Sequence, residues 1–149
     1  MQRQRNPGLE PQQSSRIALR SIRATSLILL AACQSGPTDY LAFESPQQPV
    51  AVASRIADNV GACWFADGQE RFSDYSYVPE LASHSNRPRV LLVDKSDPTG
   101  LPKLVIEAVE EDRGASVRLF GPLMAGADAA AIRSDVERWT DGATGCSAA

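Results

Sequence analysis

The sequence predicts an α+β fold. It would be a two-layer domain in which an antiparallel meander of three to four strands carries an N-terminal and a C-terminal helix on one face, in the order α-β4-α. Three observations predict it. Apolar residues recur at three- and four-residue steps in two separate stretches, one opening at Pro49 and one closing at Trp139. Between them, over residues 72–120, the apolar runs shorten to strand length and are divided by turn sequences. Those divisions are too short for a crossover, so neighbouring strands should pair antiparallel.

Pro49 suits a first helical position, because its fixed φ is helical and its missing N–H would have no partner there. Val52, Ala53, Ile56, Val60, Cys63 and Trp64 then share one face, opposite Ser54, Arg55, Asp58 and Asn59. Gly61 costs about 1 kcal/mol against alanine in such a helix. A first strand is expected over Arg71 to Val78, ended by Pro79. Val90 to Val93, Leu104 to Val109 and Ser116 to Phe120 follow as the meander. Asp94-Lys95-Ser96-Asp97-Pro98-Thr99-Gly100 and Glu111-Asp112-Arg113-Gly114 are turn chemistry, proline presetting φ and glycine accepting positive φ. In the second helix Asp128 is the expected cap, Ala129, Ile132, Val136 and Trp139 form the apolar stripe, and Gly142 ends it. Each helix has one apolar stripe, so both should lie on one face of the sheet.

Upstream of the domain, Arg16, Arg20 and Arg23 precede a short apolar run containing Leu27, Ile28, Leu29 and Leu30, and the run closes on Leu30-Ala31-Ala32-Cys33. Basic, apolar and small residues in that order make an export signal. The run is too short and too interrupted to span a bilayer, which takes about 20 apolar residues. Leu30-Ala31-Ala32-Cys33 resembles the lipobox of bacterial lipoproteins. The resemblance covers residues 1–33 and implies cleavage between Ala32 and Cys33, with Cys33 left as the acylated N-terminus. The expected organisation is a signal peptide over 1–32, the lipidated cysteine and a tether over 33–48, and one α+β domain over 49–149. The tether is polar and carries prolines, with a typical reach of roughly 20–25 Å. Tyr40-Leu41-Ala42-Phe43 is apolar for a linker and reads as docking on its own domain, or else as a patch for a partner.

Cleavage would remove five arginines and Glu10, taking the formal net charge from −3 to −7. So acidic a domain is a poor ligand for nucleic acid or anionic head groups. Membrane contact would come from the lipid. With Cys33 assigned to the anchor, Cys63 and Cys146 remain as an even pair in an oxidising compartment and should be bonded. The bond would staple the ends of the two helices. One histidine in the chain, His84, and no Cys-x-x-Cys argue against zinc.

No phosphate loop, nucleophile elbow or metalloprotease motif is present. His84 lies in a polar connection beside Ser83 and Ser85, a setting of solvated loop rather than catalysis. Asp94 to Gly100 lacks the alternating ligands of a calcium loop. The expectation is therefore a non-enzymatic lipoprotein without metal or cofactor. It would be held at the periplasmic face of the bacterial outer membrane and act as an interaction or accessory module for an envelope protein. Gln34 after Cys33 fits outer-membrane sorting under the rule of enteric bacteria. The alternative is a ligand-binding or inhibitor module using the sheet face away from the helices, with Tyr75, Tyr77, Val105 and Val109 as contacts. Tyr40, Phe43, Tyr75 and Tyr77 are the candidate interaction residues.

Overall fold

The computed structural model describes residues 40–66, 69–82 and 85–147. Ala32, Cys33 and His84 lie outside them. The fold is α+β, with a five-stranded antiparallel sheet and two helices. In chain order the elements are β1 (Leu41–Ser45), α1 (Pro49–Trp64), β2 (Tyr75–Glu80), β3 (Arg89–Asp94), β4 (Leu104–Glu111), β5 (Gly114–Phe120), a 3-10 turn (Pro122–Ala125) and α2 (Ala129–Thr140). The sheet order is β1-β5-β4-β3-β2.

The expected three to four strands are therefore five, and a strand precedes the first helix. The addition is β1, in the segment read as tether. It pairs along β5 with Leu41 opposite Leu119 and Phe43 opposite Val117. Leu41 and Phe43 pack against the main core, which is why so apolar a stretch sits there. The strand expected from Arg71 starts only at Tyr75, since residues 71–74 form turns. Nor does Pro79 end it. It pairs with Val90 inside β2, tolerated because β2 is an edge strand, where an N–H facing outward has no ladder partner to lose.

One core joins both helices to one face of the sheet. Val52, Ile56, Val60 and Trp64 of α1 and Ile132, Val136 and Trp139 of α2 meet Val90, Leu92, Leu104, Ile106, Val117 and Leu119. Between the helices and β2 runs a chain of aromatic rings, Trp139, Trp64, Phe72, Phe65 and Tyr77, with successive centroids 4.9–6.2 Å apart. Gly61 is explained by this packing, since a Cβ there would stand 2.7 Å from the Tyr77 hydroxyl oxygen. Asp128 makes no capping hydrogen bond; its carboxylate sits 3.6 Å from the Arg71 guanidinium instead. Gly142, at φ +107°, turns the chain out of α2, and its N–H donates to Trp139 O at 3.2 Å. Among the described residues no helix is long and apolar enough to cross a membrane.

Candidate functional site

The sheet face away from the helices is ordered in rows by the strand register. Glu80 pairs with Arg89, Arg89 with Glu107, and Glu107 with Arg118, so one row across β2, β3, β4 and β5 alternates in charge. The neighbouring row is Val78, Leu91, Val105 and Phe120, by the same pairings. Leu91, Val93 and Val105 keep only 7–8% of their exposure and form a second small apolar cluster with Phe120, to which no helix residue belongs. Val78, at the edge, is 39% exposed.

Within the charged row, Arg89 Nε donates to Glu80 Oε2 at 2.6 Å. Arg118 turns instead toward Glu111, 3.3 Å from Nη2 to Oε1, and its guanidinium carbon lies 5.2 Å from the centre of the Tyr40 ring. Its Nε is shielded from solvent without a hydrogen-bond partner among the described residues. Glu107, between the two arginines, is half-buried and makes no ion pair among the described residues.

The four candidate interaction residues separate. Tyr40 lies on this face, against Arg118. Phe43 points the other way, into the main core. Tyr75 and Tyr77, expected on the open face with Val105 and Val109, are on the helix side. Tyr77 pairs with Leu92, a core residue, and its ring is 5.0 Å from that of Phe65. Val105 lies on the helix-free face, and Val109, four residues further along β4, points the same way. Alternation in a strand fixes which residues share a side but not which side is covered. The rows themselves left a trace in the sequence. Val78-x-Glu80, Arg89-x-Leu91, Val105-x-Glu107 and Arg118-x-Phe120 each place one charge two positions from one large apolar residue.

A second polar cluster closes the far side of the helices. Cys63 and Cys146 are joined, with Cα atoms 5.2 Å apart. Cys63 lies in the last turn of α1 and Cys146 in the tail beyond α2. Gly145 O accepts from Arg138 Nη2 at 2.8 Å and Trp139 Nε1 at 3.0 Å, and Gly145 N donates to Asn59 Oδ1 at 2.6 Å. Asp135, buried, accepts from Trp64 Nε1 at 2.9 Å and from the Ser147 hydroxyl. A hollow beside the disulfide is lined by Gln69, Arg71, Ser134 and Asp135 among others. Its one buried carboxylate is committed to holding the helices and tail together.

Asp94 belongs to a turn. It accepts from the Ser96 hydroxyl at 2.6 Å and the Ser96 N–H at 2.8 Å, and these two bonds, the hydroxyl foremost, hold its carboxyl below the usual aspartate value. Among the described residues no three His, Cys, Asp or Glu side chains gather as a metal-binding group. No protein-family model matches the chain, and no curated protein or solved structure matches it.

Proposed function

We propose that this protein is a small lipoprotein of the bacterial envelope, anchored through acylated Cys33 at the periplasmic face of the outer membrane, whose domain works by binding protein and not by catalysis. The observation that carries the reading is Leu30-Ala31-Ala32-Cys33 at the end of a basic-then-apolar segment. Three further features support it. A disulfide joins residues separated by 83 positions, a bond that persists in oxidising compartments. The first strand of the domain, β1, begins eight positions after Cys33. And the helix-free face offers an apolar row beside a charged one, the mixture from which protein interfaces are built.

The alternative, a ligand or inhibitor module on the same face, has lost Tyr75 and Tyr77 to the helix side of the sheet. What remains there is the row of four aliphatic and aromatic side chains, Val78, Leu91, Val105 and Phe120. The decisive experiment is an intact mass of the native protein extracted from membranes. A chain beginning at Cys33 and heavier by acyl groups is expected, and Cys33→Ser should abolish the added mass. An unprocessed, unacylated chain with free thiols would overturn the reading.

A further inference from the structure

We propose that the helix-free sheet face is a two-fold self-association surface and that its occupant is a second copy of this chain. The argument rests on the order of charges in one register row. Read from β2 to β5, the row is Glu80, Arg89, Glu107, Arg118, that is, negative, positive, negative, positive. A two-fold axis parallel to the strands and passing between β3 and β4 lays a second row over the first in reverse order. Glu80 then faces Arg118 of the second copy, and Arg89 faces Glu107, so all four positions meet opposite charge. An even, alternating row is complementary to its own reversal, which is what a two-fold interface requires.

The same operation leaves the apolar row over itself. Val78 comes opposite Phe120 of the second copy, and Leu91 opposite Val105. The strands of the two sheets remain aligned, as in face-to-face packing with sheets about 10 Å apart. β1 overhangs at each side, with Tyr40 against Arg118 at the rim of the match.

Two local facts point the same way. Among the described residues Glu107 has no ion pair and Arg118 Nε no hydrogen-bond partner. Both sit in the row that a second copy would cover; Arg118 is already held by Glu111 and Tyr40, so the charge the fold leaves for a partner to match is that of Glu107. The two matched rows cover about four strands by two alternate residues, roughly 19 Å by 14 Å. That is below the size of a stable interface, so the association is a weak one that dissociates on dilution. Tethering both copies to one surface would raise their effective concentration. The pairing itself does not depend on Cys33 being acylated, so either proposal can fail without the other.

The test is sedimentation of the full chain over a wide concentration range, in detergent where the chain needs it. A reversible monomer–dimer equilibrium is expected. Arg118→Glu puts glutamate opposite Glu80 at both ends of the row, and Glu80→Arg puts arginine opposite Arg118. Each should weaken the dimer about tenfold or more. The double variant E80R/R118E reads negative and positive in blocks that are again self-complementary, and it should recover the wild-type equilibrium to within about threefold. Circular dichroism establishes that each variant is folded. Where a charge variant fails to fold, Val78→Glu, at an exposed edge position opposite Phe120, serves in its place and should also weaken association. A wild-type chain that stays monomeric at every concentration overturns the proposal. So does a folded double variant that remains as weak as the singles.

Discussion

Opening the Cys63–Cys146 bond should remove a large part of the domain's stability. The two cysteines are 83 positions apart. In the chain-entropy description, closing a loop of that length restricts the unfolded chain by about 15 cal/mol/K, or about 4.5 kcal/mol at 25 °C. Unfolding a domain of the size of residues 40–147 carries an entropy of about 0.23 kcal/mol/K near its midpoint, so the loss corresponds to a fall in Tm of about 20 °C. The bonds from Arg138 and Trp139 to Gly145 do not offset this, because they exist only in the folded state, with or without the covalent link. The assay is thermal unfolding by circular dichroism with and without reductant, alongside the double variant C63S/C146S. The reduced protein and the variant should melt together, well below the oxidised protein. A shift under about 5 °C would refute the argument, since a loop of this length cannot be closed at so little entropic consequence.

Three smaller perturbations bear on local reasoning. Gly61→Ala should gain about 1 kcal/mol of helix propensity yet lose more by crowding the Tyr77 hydroxyl, and in a Tyr77→Ala background the same change should become stabilising; urea unfolding of the four proteins gives the cycle. Asp135→Ala leaves the Trp64 indole N–H buried without its carboxylate and should cost about 1–3 kcal/mol, read from the same denaturation curves. Asp94 has a carboxyl held below its ordinary value of 3.8 by the hydroxyl and N–H of Ser96. The unfolded chain therefore takes up the proton first as pH falls. The contribution of Asp94 is present above 3.8 and lost as pH drops through the lower folded value. Asp94→Ala should flatten the pH dependence of stability below that point, and an NMR titration of the carboxyl should show the lowered midpoint directly.

Much of the fold was legible because its signals are local. The stripe from Val52 to Trp64 and the stripe from Ile132 to Trp139 each carry enough turns to fix a helix, and the turns at Ser96–Gly100 and Glu111–Gly114 carry their own chemistry. What escaped depends on distant pairing. β1 has five residues between polar flanks, and only the ladder to β5 makes it a strand. Pro79 looked like a terminator because the sequence does not say that β2 lies at an edge. Tyr75 and Tyr77 were placed on the wrong face for a related reason. Their alternation was right, but the room for the Tyr77 hydroxyl is left by Gly61, sixteen residues earlier, whose missing side chain reads in sequence only as a weakness of the helix. The charged row is the extreme case, since each of its members is ordinary and only the register makes them a pattern.

The placement of β1 also decides how the domain meets mechanical load. A pull on the chain ahead of Tyr40 enters the fold through an edge strand bonded to β5 over Leu41–Ser45. Force directed along that strand loads its rungs together, in shear, whereas force directed away from the sheet would open them one after another. At the inner end of β1, Ser45 is buried, and its hydroxyl donates to Thr140 O in α2 at 3.3 Å. Tension that passes the strand runs along the backbone into α1, which the disulfide locks to the tail beyond α2. The short pairing works as a clutch between the preceding chain and the body of the domain, and the direction of the pull sets whether it holds.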